Sequence, residues 1–271
     1  MKEELSLPIN EKCKIAIIGL GYVGLPLAIE FSRNSNCLIT GKKLERKVIG
    51  FDISKRRIFG LRNSHDYTNQ FTKKELKDLK NIEFTFEEEL LKEADVFIIT
   101  VPTPIDEFNI PDLTALENAS MLVGKALSKK TKKFKPVVIY ESTVFPGATE
   151  DVCIPLLSKS SDLKLNEDYV CGYSPERINP GDKKHTLTNI VKITSGSNEE
   201  ATKWIDILYG SIINAGTFKV ASIMIAETAK IIENTQRDIN IALMNELSII
   251  CKLLKVDTLD VINAASTKWN F

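Results

Sequence analysis

A Rossmann-type, doubly wound parallel α/β sheet followed by a long-helix region is the fold class predicted by this 271-residue chain. Three observations predict it. Short Val/Ile-rich runs recur, and they are continuous rather than alternating, as in strands buried on both faces of a parallel sheet. Longer segments of helical character separate them, and strand–helix alternation points to a doubly wound architecture. Beyond residue 221 the character changes, and Ile223 to Leu254 holds neither Gly nor Pro.

The strand runs, in order, are KIAIIG (14–19), KVIGFD (47–52), ADVFIITV (94–101), PVVIYEST (136–143), DYVCGY (168–173) and IVKITSG (190–196). Between the third and fourth, residues 113–127 read as a helix. Residues 34–47, NSNCLITGKKLERK, read as a polar insertion. The final stretch from Ile223 to Leu254 predicts one helix ~48 Å long at 1.5 Å per residue. Its apolar residues, Ile225, Ala229, Ile232, Ile239, Leu243, Leu247, Ile250 and Leu254 among them, cover more than one face. A helix apolar on several sides needs cover, so a homodimer is expected. The organisation expected is an extension at 1–12, a dinucleotide-binding domain at 13–220 and a helical dimerisation region at 221–271.

Composition excludes several classes. Apolar residues are 43% and charged residues 27%, with 36 cations balancing 36 anions. That leaves no strong field for nucleic acid or an acidic membrane. The N-terminus has no apolar stretch of signal-peptide length, and no run approaches a membrane span. The five cysteines (13, 37, 153, 171, 251) are scattered without a CxxC, which reads as reduced cytoplasmic thiols. Two distant histidines, His65 and His185, give no expectation of a metal site.

GLGYVG, Gly19 to Gly24, follows a strand run and precedes a helical stretch. Gly19, Gly21 and Gly24 let backbone approach a pyrophosphate, Tyr22 and Val23 lie between them, and a helix N-terminus favours the negative charge. Asp52 closes the second strand, where an acid would take adenine-ribose hydroxyls and favour NAD over NADP. It lies 28 residues past Gly24, where about 20 is usual; the insertion accounts for the excess. Arg57 could flank the ribose or be a solvated charge, and Asp52 could instead cap a helix. On the long helix Lys230, Asn234 and Arg237 fall on one face. Lys230 could hold a developing oxyanion or pair with Glu227 at the surface.

Together GLGYVGLPLA, VIGFDI, TVPTPID, YESTVFPGATED, YSPERINPGDKKHTLTNI and AETAKIIENTQRDINIALMNEL resemble the nucleotide-sugar 6-dehydrogenases of the UDP-glucose/GDP-mannose type. YSPERINPGD looks like the branch acting on UDP-N-acetylhexosamines. The resemblance implies the NAD-dependent oxidation of C6 of UDP-GlcNAc or UDP-GalNAc to the uronic acid, for surface polysaccharide. By position it implies pyrophosphate on the glycine loop and ribose contacts at Asp52 and Arg57. It places Thr103 and Thr143 beside the nicotinamide, Glu176 near substrate and water, and Lys230 with Asn234 at the C6 oxygen. From sequence alone, Thr103 and Thr143 each close a strand, where such sheets put their ligand crevice, or serve as turn residues. Glu176 could merely start a helix.

The family chemistry implied passes through a thioester on a cysteine that follows a KWNF-like segment. None of the five cysteines stands in that context, and Cys171 reads as a small apolar group. The expectation is that this chain lacks the catalytic cysteine segment and a C-terminal nucleotide-binding domain and is inactive alone. Two other readings stay open: a two-electron β-hydroxyacid-type dehydrogenase, and a non-catalytic NAD-binding scaffold.

Overall fold

The computed structural model describes residues 5–33, 35–131, 133–178 and 186–271. His185, Asn34 and the 179–185 part of the YSPER motif lie outside them. Two compact units are present, Met1–Thr228 and Ala229–Phe271.

The first unit is built on one eight-stranded sheet in the order β3-β2-β1-β4-β5-β6-β7-β8. The strands are β1 (Lys14–Ile18), β2 (Lys47–Phe51), β3 (Ile82–Thr85), β4 (Val96–Ile99), β5 (Val137–Tyr140), β6 (Val170–Tyr173), β7 (Lys192–Gly196) and β8 (Thr217–Lys219). The first six follow the 3-2-1-4-5-6 order of dinucleotide folds, with a switch of direction beside β1. Ile15, Ile17, Val96, Ile98, Val137 and Ile139 are fully buried, as strands covered on both faces require. Helices α1 (Gly24–Ser32), α2 (Lys55–Arg62), α3 (Lys73–Lys77), α4 (Thr114–Ser128), α5 (Ile154–Ser161) and α6 (Glu199–Gly210) connect them.

All six strand runs form strands, and two further strands appear. β3 carries the charged Glu83 in a four-residue edge strand, and β8 is three residues long. The sheet also departs from all-parallel: β7 pairs antiparallel with β6, and β8 then runs parallel to β7. Only parallel neighbours need a helical crossover; the described residues between β6 and β7 hold a single short turn of 3₁₀ helix at Leu187–Asn189.

Residues 35–46 of the polar segment pack on the end of α6. Leu38 N–H donates to the Ser211 carbonyl at 3.2 Å. Arg46, 2% exposed, lies over the Phe31 ring and donates to the Asn10 carbonyl and Ser211 hydroxyl.

Helix α7 (Ile223–Leu254) has the limits expected from the sequence. The second unit comprises α7 from Ala229 onward and α8 (Thr258–Ala265). Asp257 caps α8, its carboxylate accepting the Leu259 and Asp260 N–H groups that the first helical turn leaves unpaired. Ile232, Ile239, Leu253 and Leu254 on α7 are each more than 60% exposed. Among the described residues no helix is long and apolar enough to cross a membrane.

Among the glycines described, the one with least room is Gly24, at the start of α1. A Cβ on Gly24 would stand 1.9 Å from the Gly19 carbonyl oxygen and 2.4 Å from the Thr100 hydroxyl, and Gly19 itself has φ +94°. Gly24→Ala should therefore cost about 3 kcal/mol, the upper end of the usual range for overpacking, read as a lowered urea midpoint. An unchanged midpoint would show that the loop has room that the geometry denies it.

Candidate active site

The glycine loop, Asp52, Arg57, Thr103, Thr143 and Glu176, the site candidates of the first unit, fall at the C-terminal edge of the sheet or on α2 beside it. Asp52 follows β2 directly, half-buried. Its two oxygens accept the Leu20 N–H at 2.9 Å and the Ser54 N–H at 2.8 Å. The helix cap belongs to Ser54, whose hydroxyl accepts the Arg57 N–H. Asp52, Gly19, Ile53, Val101, Pro102 and Asn118 line a cavity of about 600 Å³, a size ordinary for a small-molecule site.

Arg57 is 8% exposed, so it is no solvated charge. Its Nη1 meets the Asp66 carboxylate at 2.7 Å and its Nε donates to the Leu20 carbonyl at 2.8 Å. Burial opposes ionisation of Asp66, but bonds from Thr68, Arg57 and the Gln70 N–H outweigh it and hold its pKa below the usual aspartate value.

The loops after β4 and β5 are stitched to each other. The Thr103 hydroxyl donates to the Thr143 carbonyl at 2.5 Å, and the Ser142 hydroxyl to the Val101 carbonyl at 2.7 Å. Thr103 and Thr143 thus come together, although 40 residues apart. Thr100 ties the same edge to the glycine loop through the Ile18 and Gly19 carbonyls.

Glu176 starts no helix. It is 8% exposed and belongs to a buried charge cluster that the sequence did not disclose. Lys192 Nζ lies 3.1 Å from Glu176 and 2.8 Å from Glu141, and the Tyr209 hydroxyl bonds the other Glu141 oxygen. The second Glu176 oxygen accepts the Arg177 and Ile178 N–H groups. Burial works against the Lys192 ammonium, but Glu141 and Glu176 outweigh it and hold its pKa above the usual lysine value. Burial pushes the Glu141 carboxyl up, with Lys192 offsetting part of that rise.

Glu227 is fully buried rather than a surface residue. Its carboxylate accepts the Gly147 N–H at 2.6 Å and the Thr149 N–H at 3.0 Å. It pins the turn of FPGATED ahead of α5. An acid amid the apolar IAETA was the available signal for this role.

The thiols at Cys13 and Cys153 are pushed up to about 12, and burial drives Cys171 well above the usual value. None of these three is poised as a thiolate. In the second unit, Lys230 and Asn234 lie one turn apart on α7, both half-buried, and Arg237 is exposed.

Comparison with known proteins agrees with this arrangement. The NAD binding domain of the UDP-glucose/GDP-mannose dehydrogenase family matches residues 13–213, and the family's central domain matches 224–271. The chain belongs to the UDP-glucose/GDP-mannose dehydrogenase family. A UDP-N-acetyl-D-glucosamine 6-dehydrogenase of Salmonella typhi is 52% identical over 96% of this chain and 58% of its own length. One from Pseudomonas aeruginosa is 54% identical over 95% and 57%. The structure of a UDP-D-ManNAc dehydrogenase from Pyrococcus horikoshii superposes with a TM-score of 0.82 at 32% identity, covering 95% of this chain and 58% of that one. The chain therefore spans somewhat more than half the length of these dehydrogenases.

The residues present fit NAD. A Cβ on Gly21 would meet nothing within 4 Å. Among the described residues, the Gly21, Tyr22 and Val23 N–H groups donate to no protein acceptor. Three free donors ahead of a helix make an anion cradle, and the Asp52 carboxylate lines the cavity beside it.

Lys192→Met would leave two buried carboxylates without their cation. The unaltered protein should exceed the variant by roughly 3–5 kcal/mol in unfolding free energy at neutral pH. Because the folded lysine pKa is raised, the contribution is full below the unfolded value of about 10.4 and is lost as pH rises through the folded one. Denaturant titrations at neutral and alkaline pH check both; a gap that does not narrow would show that the stabilisation is not ionic.

Proposed function

We propose that this chain is the cofactor-binding and central portion of a UDP-N-acetylglucosamine 6-dehydrogenase that forms the uronic acid for surface polysaccharide. The observation that carries the reading is identity above 50% with two dehydrogenases named for UDP-GlcNAc across nearly the whole chain, whereas an NDP-N-acetyl-D-galactosaminuronic acid dehydrogenase of Ralstonia solanacearum is 30% identical.

In this reading NAD supplies hydride acceptance when bound. Asp52 takes the ribose hydroxyls, and its negative charge disfavours a 2′-phosphate. Thr103 and Thr143 border the nicotinamide. Glu176, held by Lys192 and two N–H groups, orients water and substrate. Lys230 and Asn234 hold the C6 oxygen as negative charge develops there. Oxidation of the alcohol to a carboxylate consumes two NAD and one water. The thiol step needs an accessible thiolate, and all five thiols are buried, Cys13, Cys153 and Cys171 with raised pKa values. Cys37, where burial is outweighed by bonds from Thr40 so that the pKa is lowered, is not among the residues that line the cavity beside Asp52. The 271 residues alone are accordingly inactive. The exposed apolar face of α7, with Ile232, Ile239 and Leu253, packs against a second copy.

Three experiments test this. A chimera that carries this chain in place of the matching part of the Salmonella typhi relative should form NADH and uronic acid from UDP-GlcNAc in preference to UDP-GalNAc. Lys230→Ala in the chimera should lower kcat by about 10²-fold or more, the scale for an oxyanion donor. The 271-residue chain should give no uronic acid by mass spectrometry; if it does, the cysteine argument is wrong. Light scattering of the chain should give about twice 30.4 kDa, and a monomer at micromolar concentration would remove the dimer from the proposal.

A further inference from the structure

Residues 63–72 contribute nothing to the lining of the cavity beside Asp52, yet they are bonded to the glycine loop. Asp66 is 4% exposed and accepts five bonds: from Arg57 Nη1, from the Thr68 N–H and hydroxyl, and from the Gln70 and Phe71 N–H groups. So fixed, Arg57 donates to the Leu20 carbonyl at 2.8 Å, and Gln70 Nε2 to the Tyr22 carbonyl at 3.0 Å.

These two bonds complete a set. The Gly19 carbonyl takes the Thr100 hydroxyl, and the Gly21 and Val23 carbonyls take the Leu25 and Leu27 N–H groups of α1. Every carbonyl from Gly19 to Val23 is engaged by a donor. A trans peptide points its N–H opposite to its C=O. Holding the Leu20 carbonyl sets the direction of the Gly21 N–H, and holding the Tyr22 carbonyl sets that of the Val23 N–H. An anion above the loop then meets N–H dipoles, with the repelling carbonyl oxygens turned away.

We propose that Gln70 and the Arg57–Asp66 pair are positioning residues for the pyrophosphate of NAD, acting through the Leu20 and Tyr22 carbonyls. The proposal rests on the reading that the dinucleotide lies on the glycine loop. It gives the 63–72 loop a function in affinity, and it makes Arg57 an internal brace of the loop.

The test separates pyrophosphate from the rest of the ligand. Calorimetric titration of the 271-residue chain uses ADP-ribose, which carries the pyrophosphate, and adenosine, which does not. Gln70 is exposed, so Gln70→Met removes a donor at similar length without touching the core. Its ratio of ADP-ribose to adenosine affinity should fall about five-fold, the scale of one net hydrogen bond. Asp66→Asn should move the ratio in the same direction. A parallel loss for both ligands would mean general loosening, and an unchanged ratio in Gln70→Met would mean that the carbonyl bond is incidental; either overturns the proposal. If the unaltered chain bound neither ligand, the dinucleotide reading would fail first, and the proposal with it.

Discussion

The Leu20 N–H bonded to Asp52 is the contact on which the dinucleotide site depends. It joins the loop after β1 to the end of β2, so the two neighbouring strands share one edge. The same carboxylate accepts the Ser54 N–H and leads into α2. α2 then returns Arg57 to the other side of Leu20. One residue of GLGYVG is thereby fixed at both its N–H and its C=O. With Gly24 packed against the Gly19 carbonyl and Thr100, the loop has little freedom left. Such preorganisation lets a loop present donors to an anion without an ordering cost at binding.

Buried charge is the recurring device of the first unit. Arg57–Asp66 and Glu141–Lys192–Glu176 are each almost inaccessible. Pairs of this kind contribute little net stability beside apolar packing, because desolvation offsets most of the attraction, yet losing one partner is costly. What they provide is direction. Arg57 fixes a carbonyl of the glycine loop, and Lys192 fixes one oxygen of Glu176 while two N–H groups fix the other. Both clusters stand at the C-terminal edge, where a doubly wound sheet binds its ligand. Their cost is accepted where geometry matters.

Local features were legible in the sequence. The six buried strands, the glycine loop and the 32-residue span of α7 depend on neighbouring residues, and each was read within a short window. β3 was missed because Glu83 interrupts an apolar pattern in only four residues, and β8 because three residues carry no period. The antiparallel turn at β7 left no trace, since strand direction is decided by the path of the connection. The site residues divide in the same way. Asp52 directly follows β2, Thr103 and Thr143 lie in the loops just past β4 and β5, and these candidates could be picked out by position. Asp66, Gln70, Glu141 and Lys192 act through partners brought close only by folding: Gln70 and Tyr22 are 48 residues apart, and Lys192 and Glu141 are 51. Glu141 lay in full view inside YEST, but an acid at a strand end reads as solvated until its lysine is known.

The division of the chain into units also divides its chemistry. The glycine loop, Asp52, the Arg57–Asp66 brace and the threonine pair all belong to Met1–Thr228. Every contact that preorganises the dinucleotide loop is internal to that unit. Lys230 and Asn234 belong to Ala229–Phe271, the unit that carries the exposed Ile232, Ile239 and Leu253. Under the proposed function, cofactor affinity and the handling of the reacting oxygen thus rest on different residues. A change at Asp66 reaches the bonds around Leu20 through a single arginine. Under the proposed function, binding of NAD by the first unit is therefore separable from turnover of a sugar nucleotide, which would also need Lys230 and Asn234.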